Sequence, residues 1–493
     1  MNYNLYGEHC NAHGKHNFRF FFDVAAIVGL ASLACGPTSE SSGEQDGTVC
    51  SDSCDPTEGM RCHEALIQVC AKGDDGCFAW TQREDCGASS KICDDTGDTP
   101  VCVSVESCVD GAQNQDETDV DCGGSCPPCD KGKHCTSDKD CHSDSCIDGT
   151  CSLCKPNGGS CLGNTTRQCA GDGWSWVTGQ DCGMTQKCDP VTGTCGDIPL
   201  VGNPPGDNDE NVTGEYYKYA RFTQEDGLVN YCFVSDVDSF DDLIYVHAVP
   251  APCPGSYGGV QGQIDVYKVT LQDSDDDGTP EPDQHPDNPD NTGPIEQRVL
   301  TYVTTYQWPI GPVHHSEIYA TEDKLYFPGM DEVFVEYDIA SGTTVNIVDG
   351  SLLGNWGISQ VGYDEDNDIW YFSSEAARRV YSYAPQLSAW VPEFNYPDMS
   401  GDHMDGMEFV KDPNTGIGYV YVSDMTSDYI GQYSKDATGN WQQVNLFHYT
   451  DSDVESVEGM GFGVLHHFWV GGWSAGSVYE LGGGDLGQYI QVN

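Results

Sequence analysis

From about residue 214 to the C-terminus the chain repeats one pattern of apolar and polar positions. A small or polar turn leads into a short strand, then a turn, a strand of paired aromatics, and a further strand ending in tyrosine. Asp323-Lys-Leu-Tyr-Phe, Asp368-Ile-Trp-Tyr-Phe, Gly418-Tyr-Val-Tyr-Val and His467-Phe-Trp-Val are four copies of the aromatic strand. Leu325, Ile369, Tyr419 and Phe468 occupy matching places, 44, 50 and 49 residues apart. Short strands at such a period, with no helical pattern, predict a β-propeller, because each unit leaves a sheet face bare until its neighbours stack on it.

The first blade is read as Leu228-Val-Asn-Tyr-Cys-Phe-Val, then Asp242-Leu-Ile-Tyr-Val-His-Ala, then Ile264-Asp-Val-Tyr-Lys-Val. Its outer strand, Val299-Leu-Thr-Tyr-Val, comes only after an acidic, proline-rich insertion at 272–294. Blades two to five follow at 316–347, 359–394, 406–447 and 459–490. The count is five, or six if 215–222 completes another blade beside the C-terminal strand. Such closure removes exposed sheet edges.

The first half follows a different pattern. Of 26 cysteines, 22 lie between Cys50 and Cys195. Cys54, Cys62, Cys70, Cys86, Cys93 and Cys102 match Cys154, Cys161, Cys169, Cys182, Cys188 and Cys195. Trp80 and Trp176 fall six residues before the fourth cysteine of each set, and Asp85 and Asp181 one before it. Two homologous knots are predicted, with Cys50 paired to Cys77 in the first and the other pairings open. Cys126-x-x-Cys129 and Cys151-x-x-Cys154 have zinc-like spacing, but histidines are sparse and the spacing recurs nowhere else. Disulfides in an oxidising compartment are expected instead. In the second half, Cys232 and Cys253 are expected to tie an inner strand to a neighbouring turn.

The mainly β chain therefore divides into a disulfide-rich repeat at 50–107, an eight-cysteine acidic module at 108–153 and a second repeat at 154–195. A linker by composition follows at 196–213, and then the propeller at 214–493. Ahead of these, Lys15 and Arg19 precede an apolar run from Phe20 to Ala34, the layout of a signal peptide over 1–34 and too short for a membrane span. The run ends Leu30-Ala-Ser-Leu-Ala-Cys35-Gly, followed by a polar tether at 35–49. This ending resembles the lipobox of bacterial lipoproteins, although Ser32 stands where that family has leucine. The resemblance implies lipid on Cys35 and a place on the bacterial outer membrane or cell surface; plain secretion is the alternative.

A formal net charge of −58 excludes ordinary binding of nucleic acid or anionic lipid through a basic patch. It is compatible with solubility and with calcium binding. In the insertion, Asp273-Ser-Asp275-Asp-Asp277-Gly278-Thr279-Pro-Glu281-Pro-Asp283 places alternating carboxylates around one point, with Gly278 allowing a tight turn. It resembles the calcium loops of EF-hands and thrombospondin type 3 repeats, but Gln284 replaces the EF-hand glutamate and no helix flanks it. The resemblance implies calcium held by Asp273, Asp275, Asp277, the Thr279 carbonyl and Asp283. A second acidic stretch, Asp116, Glu117, Asp119 and Asp121, is read equally as a calcium loop or as a solvated one. Its setting, Asp110-Gly-Ala-Gln-Asn-Gln-Asp-Glu-Thr-Asp-Val-Asp-Cys122-Gly-Gly, resembles a repeat of predicted cysteine-rich surface lipoproteins of myxobacteria and their relatives.

Residues before each innermost strand should ring the mouth of the wheel: His314, His315 and Glu317; Asn355 and Trp356; Asp402, His403 and Asp405; Glu455 and Glu458. Asp405-Gly-Met and Glu458-Gly-Met fall at equivalent places, and with His315 they are candidates for a channel metal. That placement is similar to gluconolactonases and senescence-marker lactonases, which implies a metal-dependent hydrolase. The other reading is turn-capping carboxylates. His466 and His467 are read as turn residues. No catalytic elbow, phosphate loop or dinucleotide fingerprint is present, and no catalytic residue is assigned. The first expectation is a non-enzymatic, lipid-anchored surface protein whose propeller presents Trp356, Trp390 and Trp473 to a glycan or protein ligand.

Overall fold

The computed structural model describes residues 54, 59–63, 66–72, 78–86, 91–94, 99–104, 108–109, 111–113, 116–253, 262–273, 278, 280–281, 284–287, 293–307, 317–328, 333–353, 358–374, 377–401, 404–424, 426–450, 456–472 and 476–488. The expected signal peptide, the expected tether with Cys35 and the expected Cys50–Cys77 pairing lie outside them. Two compact units divide at 103/104.

In the first unit Met60–His63, Leu66–Lys72 and Phe78–Asp85 form an antiparallel sheet, beside the two-stranded Lys91–Asp94 and Val101–Ser104. Disulfides join Cys54 to Cys70 and Cys86 to Cys102. The second knot repeats this plan with Gly159–Leu162, Thr165–Cys169 and Trp176–Asp181, then Gln186–Asp189 and Thr194–Asp197. Its bridges are Cys154–Cys169, Cys161–Cys188 and Cys182–Cys195, so first-to-third and fourth-to-sixth pairing is common to both knots. Each tryptophan is also capped by a guanidinium, Arg61 over Trp80 and Arg167 over Trp176. The arginines come from different strands, so the cation–π contact is kept while its donor position is not.

Between the knots, Cys108–Cys126, Cys122–Cys129, Cys135–Cys146 and Cys141–Cys151 staple a module with almost no regular structure. Cys126, Cys129, Cys151 and Cys154 each have a different disulfide partner, which removes the zinc reading.

Among the described residues the propeller has five blades. Blade I comprises Tyr231–Phe240, Leu243–Pro250, Gln263–Gln272 and Gln297–Gln307, in that order from the axis outward. Blade II is Tyr319–Ala320, Lys324–Pro328, Val333–Asp338 and Thr343–Asp349; blade III is Gln360–Asp364, Ile369–Ser374, Ala377–Ala384 and Ala389–Asn395. Blade IV is Met404–Lys411, Gly418–Asp424, Tyr429–Lys435 and Trp441–Tyr449. Blade V takes Val457–Phe462, Phe468–Gly472 and Ser477–Gly482 from the end of the chain. Its fourth strand is Gly214–Phe222, antiparallel to Ser477–Gly482. This segment thus closes the ring beside the C-terminal strand, but inside the fifth blade, and the described residues form no sixth blade. It also pairs in parallel with Trp441–Tyr449, joining blades IV and V into one eight-stranded sheet.

The aromatic strand of the sequence pattern is the second strand of every blade. Its two faces are buried against different neighbours, which is why it reads as an unbroken apolar run. Five separate cores result, one at each junction of adjacent blades. Trp469 lies fully buried between blades V and I, and Phe372 between II and III. The Cys232–Cys253 disulfide fastens the inner strand of blade I to the turn after its second strand.

Within residues 196–213, a linker by composition, Ile198 and Val201 are buried. The backbone N–H of Asn395 donates to Pro199 O and that of Val201 to Asn395 O, each at 2.8 Å, adding a short parallel pairing to the outer edge of blade III. Val201 enters the core between blades III and IV. The second knot is fastened to the same blade: Lys187 Nζ donates to Glu393 Oε2 at 2.7 Å and to the Glu393 carbonyl at 2.8 Å. Burial opposes ionisation of Glu393, but Lys435 and Lys187 outweigh it and hold the carboxyl down at about 2. A proline-rich composition concealed this docking because only Ile198, Val201 and Val212 carry its apolar part.

Candidate functional site

The inner strand of a blade has one edge paired and one edge facing the axis. Its axial N–H groups therefore need acceptors from outside the sheet. Carboxylates supply them. Glu317, at the entry to blade II, reaches across the wheel. Its Oε1 accepts from the N–H of Met407 in blade IV at 2.6 Å and of Met460 in blade V at 3.1 Å. Its Oε2 accepts from Val361 N–H in blade III at 2.8 Å. One side chain thus braces three other blades. Asp236 and Asp238 of blade I accept from Ile318 and Ala320 of blade II. Glu408 of blade IV accepts from Phe409 N–H at 2.6 Å and from Phe462 N–H of blade V at 3.2 Å.

Close approach of blades I and V is possible only because blade V carries glycine there. A Cβ on Gly459 would lie 1.8 Å from Asp236 Oδ1, and one on Gly461 would lie 2.3 Å from Asp238 Oδ1. The axis is consequently packed. Asp236, Asp238, Glu317, Asp405, Glu408 and Glu458 are all buried. Burial, with like charges adding, raises Asp236, Glu317 and Glu408 well above the carboxylate range; burial likewise pushes Asp238 up to about 7.

Of the channel-metal candidates, Asp405 and Glu458 sit on the inner strands of blades IV and V, and His315 lies outside the described residues. Among the described residues, three potential ligand atoms come within 4.8 Å of one another only at Cys135/Cys141/Cys151 and Cys108/Glu117/Cys126, whose cysteines are in disulfides. Glu317, Asp236, Asp238 and Glu408 accept from separate backbone donors. The repeat pattern places Glu317 at the mouth but does not mark Asp236, Asp238 or Glu408. The signal was present in Val234-Ser-Asp-Val-Asp-Ser, where acids alternate inside an otherwise apolar strand.

His467, expected in a turn, is buried. Its Nδ1 lies 2.7 Å from Glu480 Oε1, and Arg298 Nε donates to Glu480 Oε2 at 2.8 Å. Tyr219 of the closing strand stacks on His467 and lies under the Arg298 guanidinium. Only His466 has the turn backbone, with φ of 60°.

In the calcium-like loop, Asp275, Asp277, Thr279 and Asp283 lie outside the described residues. Asp273 Oδ2 accepts from Gly278 N–H at 2.7 Å, and Gly278 takes φ of 93°, so the loop turns back on its first aspartate. The end of the insertion is anchored: His285 stacks on Tyr217 and its Nε2 contacts Lys218 O at 3.1 Å. The acidic stretch of the eight-cysteine module is a set of loop staples. Asp119 accepts from His134 N–H, Asp121 from Gly111 N–H, and Asp116 from Ser125 Oγ. Asn164 is buried in the second knot, its amide donating to Gln186 O and accepting from Cys188 N–H.

An open concave surface lies between the second knot and blade III. This groove, about 510 Å³, is lined by Leu162, Met184, Leu352, Leu387 and Trp390 with Asp181 at its edge. Leu162, Leu352 and Leu387 are exposed. Trp390 is half-buried, held against Phe372 and Tyr383. Trp356 and Trp473 lie outside the described residues.

No family model matches this chain, and no curated protein matches it. Among solved structures it is similar to the glutaminyl cyclase of Myxococcus xanthus, with 10% identity and a TM-score of 0.31 over 55% of this chain and 97% of that one. It is also similar to a structural genomics protein of unknown function from Bacteroides thetaiotaomicron, with 12% identity and a TM-score of 0.31 over 68% and 86%. A chain of a nidogen/laminin complex aligns at 13% identity and a TM-score of 0.22 over 30% and 52%. At these scores the similarities carry no inference about activity.

Proposed function

We propose that this chain is a non-enzymatic binding protein of the bacterial cell surface, lipid-anchored through Cys35, with the disulfide-rich modules as its arm. The observation that carries the reading is the packed axis. Glu317, Asp236, Asp238 and Glu408 are engaged by backbone donors, and among the described residues no three axial ligand atoms converge, which supports binding over metal-dependent hydrolysis. The concave apolar surface is the groove beside blade III, where Trp390 offers a fixed aromatic platform. Such a platform suits a glycan or an extended peptide, since a ring held by its neighbours loses little entropy on contact.

Binding of a panel of surface polysaccharides and peptides tests this. Leu387→Asp, at an exposed position, and Trp390→Ala are each expected to weaken the captured ligand about 10–100-fold, as central anchors do. Asp405→Asn should leave it unchanged. Loss of binding with Asp405→Asn and none with the groove variants would return the axis to consideration.

Calcium belongs to the same proposal, held in the insertion by Asp273, Asp275, Asp277, the Thr279 carbonyl and Asp283, with the Asp273–Gly278 turn as its frame. Asp273→Ala combined with Asp277→Ala should remove one bound calcium per chain by elemental analysis. Unchanged stoichiometry contradicts the site.

A further inference from the structure

Among the described residues no lysine or arginine pairs with Asp236, Asp238, Glu317 or Glu408. The five inner strands contain a single lysine or arginine, Lys411, which lies at the outer end of its strand and pairs with Asp366. Asp238 is faced by Asp236 on its own strand, by Tyr245 across the hairpin, by Tyr319 of blade II and by Glu408 of blade IV. Asp236 is faced by His247 across the hairpin, by Glu317 and by Glu458 of blade V. Asp236 is fully buried, and its Oδ1, packed toward Gly459, meets no hydrogen-bond donor among the described residues. Several carboxylates cannot all stay ionised in such a space. Among the described residues no three axial ligand atoms converge within 4.8 Å of one another.

We infer that the axis is a proton-linked brace: carboxyls around Asp238 keep protons in the folded wheel at neutral pH, so the ring is tighter in mild acid and looser in alkali. The sign follows from linkage. An unfolded aspartate releases its proton near pH 4, whereas burial holds Asp238 protonated up to about 7. Between those values the folded chain binds more protons than the unfolded one. Stability then falls as pH rises through the window.

The test is thermal unfolding of the full, disulfide-bonded chain from about pH 5.5 to about pH 8.5 at fixed ionic strength with a chelator present. The midpoint should fall by roughly 5–10 °C across that range. Asp238→Asn keeps an oxygen for Ala320 N–H and removes the charge, so it should raise the midpoint at high pH and flatten the slope. Asp236→Asn is the second variant if the first does not fold, with the same expectation. A midpoint that is flat or rises with pH overturns the inference, as does an asparagine variant that shifts equally at both ends. Millimolar calcium that restores the wild-type midpoint at high pH, but not that of Asp238→Asn, also overturns it, because an ion would then be doing the neutralising.

Discussion

Glu317→Ala is expected to lower the unfolding midpoint more than any other single change on the axis. The carboxylate serves Val361, Met407 and Met460, and these donors belong to three different blades. A buried donor left without an acceptor costs about 1–3 kcal/mol, so three cost roughly 3–9 kcal/mol. For a domain of this size that is a fall of at least about 6 °C. Relief of carboxylate repulsion works the other way, so the comparison belongs near pH 6, where the axis carries less charge. Glu317→Gln separates hydrogen bonding from charge. Its single carbonyl oxygen can keep two donors and loses the third, so the loss should be smaller than for alanine. An alanine variant within about 1 kcal/mol of wild type, measured by denaturant unfolding, would mean the three donors find water or other acceptors.

The architecture was legible in the sequence because every second strand is buried on both faces and has to be apolar throughout. Leu325, Ile369, Tyr419 and Phe468 do sit on equivalent strands of successive blades. The knot repeat was legible for a similar reason, since cysteines paired in space keep their spacing. Disulfide connectivity was not, because spacing alone leaves the partner open. The axis was half legible. Glu317 was placed at the mouth, yet a carboxylate reaching across a wheel to three backbone donors leaves no local pattern. Docking of 196–213 was hidden by proline and aspartate, which signal a linker whether or not Val201 finds a core. His467 was misread for a related reason: its partners Glu480 and Arg298 are brought together only when the ring closes.

That closure sets the second large expectation. Arg298 lies on the outer strand of blade I, Glu480 and His467 lie on blade V, and Tyr219 comes from the closing strand. All the charge is buried: the Arg298 and Glu480 side chains are 1% and 0% exposed. Burial raises the Glu480 carboxyl, but His467 and Arg298 outweigh it and hold it below the usual value. Glu480→Gln keeps the shape and leaves the guanidinium buried without its counter-charge. Breaking such a pair costs about 3–5 kcal/mol, so the midpoint should fall by roughly 10 °C. The sign with pH is opposite to that of the axis. A lowered carboxyl contributes stability above the unfolded value and loses it as pH falls through the folded one, so wild type should lose its advantage over the variant in strong acid. Replacing both partners, Arg298→Met with Glu480→Leu, should recover part of the loss, because a buried pair gives little net stability against apolar groups of like volume. A double variant less stable than Glu480→Gln would show that the side chains hold the seam by specific geometry, through the Arg298 donation to Glu296 O and the stack on Tyr219, and not merely by cancelling each other's charge.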